Sequence, residues 1–152
     1  MRKLADALHP VAVTLWVGAL WAIGGIAAPA LFEGLPGMLA GALAGRLFTL
    51  TAYVGIGCGL YLLLFRFARF RLRAFGQLFF WIVLVMLLLT LAGHFGIQPI
   101  LEHLKEQALP QDVMRSVLRN RFSAWHGVSG TLYLIQSALG LTLVLLQRRV
   151  PH

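Results

Sequence analysis

Four long apolar stretches dominate the pattern along this chain. Residues 11–32 and 47–65 carry no charge, 75–97 are interrupted by Gln77 and His94, and 128–146 contain Gln136. Each is close to or beyond the ~20 residues that a helix needs to cross a bilayer core. Backbone N–H and C=O groups in lipid must be satisfied within the segment, so these stretches are expected to be helical. The pattern predicts an all-α membrane fold, a four-transmembrane-helix bundle forming a single domain over residues 1–152.

The connection between the third and fourth stretches, about 98–126, is long and has a pattern of its own. Pro110-Gln111-Asp112 reads as a helix start. Met114, Val117, Leu118, Phe122 and Trp125 then recur at helical spacing, with Asp112, Arg115 and Arg119 largely off the stripe. The expectation is an amphipathic interfacial helix in this third loop, lying on the outer membrane surface and leading into the fourth span.

Composition agrees with a bilayer environment. Hydrophobic residues make up 59% of the 152 positions and charged ones only 12%, against about 25% charged in a typical soluble domain. The formal net charge is +8. Its cations lie between apolar stretches and form no basic face interleaved with aromatics, so nucleic acid is not expected as a partner. They set topology instead. Arg2, Lys3, Arg66, Arg69, Arg71, Arg73, Arg148 and Arg149 fall on one side, opposed only by Asp6. Arg46, Lys105, Arg115, Arg119 and Arg121 fall on the other, together with Glu33, Glu102, Glu106 and Asp112. The positive-inside rule places the first set, and with it both termini, in the cytoplasm, the tight loop RFARFRLR being the strongest signal. The expected location is the cell inner (plasma) membrane. Ala27-Ala28-Pro29-Ala30 loosely mimics a signal-peptide cleavage site, but the apolar core before it is too long for an h-region, so it reads as a retained span.

Small residues recur at helix-contact spacing. Gly41/Gly45 and Gly55/Gly59 are GxxxG pairs, and Gly18, Gly24, Gly25, Gly93, Gly96, Gly127, Gly130 and Gly140 add to them. They are read as positions of close helix approach, because van der Waals packing holds helices together in lipid. Cys58 stands alone in an apolar run and reads as a small packing residue. Trp125 is expected at the interface, and Trp16 and Trp21 against neighbouring helices.

Candidate chemistry rests on three histidines, since ionisable residues in a membrane are functional candidates by default. His94 and His126 stand near the same end of the third and fourth spans, each beside a glycine, and an antiparallel pair brings them to one depth. Imidazoles facing each other from adjacent helices can hold haem axially, or copper or zinc with a further ligand. The plainer reading is interfacial hydrogen bonding. His9, before Pro10, lies about a membrane thickness away. It is read as initiating the first span, pairing with Asp6, or binding a cofactor or other ligand at the inner face. No Asp or Glu stands in an apolar stretch, which disfavours proton-coupled antiport. No HExxH, CxxC or serine-hydrolase pattern points to an enzyme.

Two stretches resemble a known family. LHPVAVTLWVGALWAIGGIAAPALF is similar to the first helix of the transmembrane protein 205-like family, and VLRNRFSAWHGVSGTLYL to the entry into its last helix. The middle helices match only in hydropathy and small residues. The resemblance implies a four-helix membrane domain with His9, Trp16, Gly18, Arg121, Phe122, His126, Gly127 and Ser129 at recurring positions. Through one member associated with resistance to a platinum drug, it also implies metal or drug handling. Three readings stay open: a non-enzymatic membrane protein binding haem or a metal ion through His94 and His126, an efflux or resistance factor, and an accessory subunit of a larger membrane complex or homo-oligomer. For the second, Thr49, Thr51, Tyr53, Thr90, Gln136 and Ser137 are the candidate lining.

Overall fold

A computed structural model describes residues 2–108 and 115–147. Every long element in it is helical. Helix α1 spans Arg2–Ala22 and passes through a π turn, Ile23–Ala27, into α2, Ala28–Gly34. Pro36 precedes α3, Gly37–Phe70, which ends in a 3₁₀ turn, Arg71–Gly76. Helix α4, Leu78–Leu91, passes through a second π turn, Ala92–Ile97, into α5, Gln98–Ala108. Helix α6 spans Arg115–Gln147. Among the described residues there is no strand. Four segments are long and apolar enough to cross a membrane: Leu4–Gly34, Leu39–Gly76, Leu78–Leu104 and Ser123–Gln147. The chain is thus an all-α bundle of four membrane-type helices. Each span reaches beyond its apolar core because flanking polar residues extend the helix without breaking it.

The bundle is a ring in which α1 packs on α3 and α6, and α4 packs on the same two helices. Its core joins Ala12, Val13, Trp16, Val17 and Leu20 of α1 to Leu62 of α3, Leu143 of α6 and five residues of α4. The α1 set follows the i, i+3, i+4 stripe of an inward helix face. Large apolar side chains elsewhere stay exposed, among them Ile26, Leu64, Leu78 and Leu134. A soluble monomer rarely presents so much contiguous apolar surface, and lipid is the solvent it fits.

The glycines divide into two classes. A Cβ on Gly55 would stand 2.5 Å from Trp16 Nε1, and one on Gly59 would stand 3.0 Å from Trp16 Cη2. The Gly55/Gly59 pair is therefore a groove that receives the fully buried indole of Trp16. Gly140 likewise seats Val17 and Met86, and Gly24 seats the ring of Tyr133. Gly18, Gly25, Gly93, Gly96, Gly127 and Gly130 differ from the sequence expectation, since nothing lies within 4 Å of their Cβ positions. Trp21 also departs from expectation. It is half exposed, because it falls one residue beyond Leu20 and off the buried stripe of α1. Trp125 is partly exposed, as an interfacial residue would be.

Helix α1 does not start at His9-Pro10 but runs through it from Arg2. Pro10 cannot donate to the Asp6 carbonyl, and in the same turn the Tyr61 hydroxyl donates to the Ala5 carbonyl at 2.8 Å. Both π turns stand just ahead of a proline, Pro29 in the first position pair of α2 and Pro99 in that of α5. Widening the helix ahead of a proline makes room for its ring, which clashes with the carbonyl four residues back.

The third connection is helical on both of its described sides. Helix α5 carries half-buried Leu101 and Leu104 with exposed Glu102 and His103 between them. Residues 115–126 are the first turns of α6 and run unbroken into the fourth span, because no proline or glycine interrupts them. The expected helix start at Pro110-Gln111-Asp112 lies outside the described residues.

Candidate functional site

Arg66, Arg69, Arg71 and Arg73 gather at one end of the bundle, where α1 begins and α3 turns into α4. The two π turns mark the opposite end. His94 lies within the second of them. Its ring meets Tyr53 of α3 edge-on at 5.1 Å and Phe95 at 4.7 Å. The residue is half-buried, and its Nδ1 is buried with no hydrogen-bond partner. π turns are frequent at functional sites, because the extra residue re-aims a side chain and frees a carbonyl.

His126 is exposed on α6 and has an interaction of its own. The structure therefore places His94 against Tyr53 of α3 and His126 on an exposed helix face. Among the described residues, no three His, Cys, Asp or Glu side chains come together as a metal-ligand group.

His9 lies at the arginine-rich end and is buried. Its ring stacks on Phe79 of α4 at 5.2 Å and tilts against Phe65 of α3 at 5.1 Å. Its Nε2 is buried and without a partner. Asp6 is within electrostatic reach of it, and so is Arg66. Arg66 is only 5% exposed. Its Nη1 donates to Gln77 Oε1 at 2.9 Å, and its guanidinium lies over the Phe79 ring, 4.1 Å from the centroid. The sequence reading assigned Arg66 to topology alone. A usable signal was present in spacing: Gly55, Gly59, Leu62 and Arg66 continue one face of α3, and the first three face the bundle.

Of the six polar side chains considered as a transport lining, Thr49, Thr51, Thr90 and Gln136 are bonded within the bundle, while Tyr53 is exposed and Ser137 is buried. The hydroxyls of Thr49, Thr51 and Thr90 donate to carbonyls one turn back in their own helices. Gln136 Nε2 donates to Thr90 Oγ1 at 2.6 Å and so ties α6 to α4. Gln98 Nε2 does the same between α5 and α3 through Thr49 and the Gly45 carbonyl. The Tyr133 hydroxyl donates to the Leu20 carbonyl at 2.6 Å, beside the first π turn. The Gln136, Gln98 and Tyr133 bonds are the interhelical kind by which membrane bundles satisfy buried polar groups. Trp16 Nε1 is buried and unpartnered against Gly55.

Among known families, the one described as "Domain of unknown function (DUF4149)" matches residues 11–110. That match does not link the chain to the transmembrane protein 205-like family in particular. No curated protein and no solved structure matches.

Proposed function

The chain belongs to the DUF4149 family, a domain of unknown function, and from that premise we propose that it is a non-enzymatic, multi-pass protein of the cell inner membrane that binds haem or a transition-metal ion near its outer face. The arginine-rich end is cytoplasmic in this reading, and both termini lie on that side. The π-turn end faces outward.

The observation that carries the ligand reading is His94. A half-buried imidazole with a buried, unpartnered Nδ1 sits in a widened helix turn between two aromatic rings. Tyr53 and Phe95 suit the edge of a planar macrocycle, and a haem iron needs only one or two axial imidazoles. His126 is the second candidate ligand. Copper or zinc would need further donors from water, a partner or a second copy. Purified protein should show a Soret band or bound copper or zinc, diminished in His94→Ala. Colourless, metal-free protein from metal-replete, haem-supplemented cells overturns the reading. A cysteine placed at exposed Leu72, with Cys58 replaced by Ala, tests orientation. An impermeant maleimide should label it only once the inner face is opened.

A second reading draws on the open glycines. Gly93, Gly96, Gly127 and Gly130 leave space where another helix could approach closely. That favours an accessory subunit or homo-oligomer over a monomer. Cross-linking between copies, or recovery with a membrane partner, supports it; monodisperse monomer in mild detergent counts against it.

A further inference from the structure

The arginine-rich end contains a buried cation, Arg66, with no carboxylate in ion-pair contact among the described residues. A guanidinium carries five N–H donors. In Arg66 one Nη1 donor reaches the neutral amide oxygen of Gln77. One face lies over Phe79, with Phe70 further off at 5.6 Å. Its Nε is buried with no partner. Holding a charge in such a place without an opposite charge is strongly unfavourable. His9 adds a second buried nitrogen without a partner, on a different helix and against the same Phe79 ring. Two orphaned nitrogen groups, one on α1 and one on α3, thus border a single phenyl ring of α4.

We propose that His9 and Arg66 form a binding site for a phosphate-bearing anion, either the headgroup of an anionic lipid or a free phosphate. The chemistry follows from the donors. The planar fork of arginine matches phosphate oxygens, and His9 Nε2 donates in the tautomer or protonated form that an anion selects. A phosphate supplies the negative charge that Arg66 lacks, and its oxygens can accept from nitrogens on both helices. Residues 67–73 follow Arg66 directly and line an open hollow of about 910 Å³, which adjoins Arg66 in the chain but is lined by neither Arg66 nor His9. Arg69, Arg71 and Arg73 in it are exposed and supply a positive approach. Basic pockets between membrane helices take lipid headgroups in this way. Asp6, the carboxylate near His9 among the described residues, is exposed to solvent, which screens its repulsion. This site is at the far end of the bundle from His94 and does not depend on the haem or metal reading.

The test uses the full chain in phosphatidylcholine nanodiscs. In one arm, inorganic phosphate is titrated; in the other, part of the lipid is replaced by phosphatidylglycerol. Thermal midpoint and retained lipid by native mass spectrometry are read in both. The wild-type midpoint should rise in at least one arm. A response to phosphate alone assigns a soluble anion, a response to phosphatidylglycerol alone assigns a headgroup, and either supports the site. Arg66→Gln should weaken binding about tenfold or more, and His9→Asn should weaken it less. Arg46→Gln, exposed and on the opposite side, should stay within about twofold. A flat wild-type response in both arms overturns the proposal even if Arg66→Gln fails to fold. So does binding by folded Arg66→Gln equal to wild type, or an equal loss in Arg46→Gln, which would mark general surface attraction.

Discussion

Replacing Gly55, Gly57 and Gly59 singly by alanine tests the reading of GxGxG as an indole groove. In a helix interior, Gly→Ala is favourable by about 1 kcal/mol through propensity alone. The three positions share one helix and one composition, so they differ only in what the new methyl meets. At exposed Gly57 nothing lies within 4 Å, so the full gain of about 1 kcal/mol should appear. At Gly55 the methyl would stand 2.5 Å from Trp16 Nε1, 3.1 Å from Cε2 and 3.2 Å from Cδ1. Trp16 is fully buried and cannot swing aside. Overpacking typically costs about 1–3 kcal/mol, so Gly55→Ala should lose up to about 2 kcal/mol net of the propensity gain. At Gly59 the closest atoms are Trp16 Cη2 at 3.0 Å and Leu87 Cδ1 at 3.2 Å. These contacts are longer than the 2.5 Å at Gly55, so the overpacking falls at the low end of its range, about 1 kcal/mol, and the net effect should be near zero. Equilibrium unfolding in mixed micelles, followed by circular dichroism, should rank Gly57→Ala first, then Gly59→Ala, then Gly55→Ala. Adding Trp16→Phe to Gly55→Ala should recover part of the loss, with a coupling of about 1 kcal/mol. A destabilising Gly57→Ala, or Gly55→Ala as stable as Gly57→Ala, would refute the groove.

Three further outcomes follow from single contacts. Tyr133→Phe removes the hydroxyl bonded to the Leu20 carbonyl and should cost about 1 kcal/mol in the same unfolding assay. Gln136→Leu leaves Thr90 bonded to the Met86 carbonyl and should cost less, about 0.6 kcal/mol, as interhelical bonds in membranes do; a loss several times larger would mean that Gln136 organises more than this pair. Arg71 ends α3 at φ 46° and ψ −128°, a conformation glycine adopts freely and other residues at a cost, so Arg71→Gly should raise stability by about 1 kcal/mol, read as a higher thermal midpoint.

Much of the architecture was legible before any coordinates. The four spans appear where apolar stretches of sufficient length predicted them. Trp16 and the Gly55/Gly59 pair were recognised separately as packing positions. That one fills the other was not visible, because a sequence gives the face of each helix but not the partner across it. Open glycines such as Gly93 and Gly127 could not be told from packed ones for the same reason. The two π turns had a sequence signature that was missed: glycines followed within a few residues by a proline, in Gly24-Gly25 before Pro29 and Gly93-Gly96 before Pro99.

The candidate sites divide the same way. His94 was identifiable as an ionisable residue at span depth, which is rare enough in apolar sequence to stand out. Arg66 was not, since in a run of arginines its chemistry is identical to that of Arg69, Arg71 and Arg73. The sequence by itself determined that this is a helical membrane bundle, because the cost of unsatisfied backbone in lipid leaves a long apolar run few other forms. Only the tertiary structure decided which arginine of the basic loop turns inward over Phe79, and which histidine nitrogens lose their hydrogen-bond partners. Those outcomes depend on packing between segments distant in the chain, where helix rotation and depth are set jointly by all four neighbours.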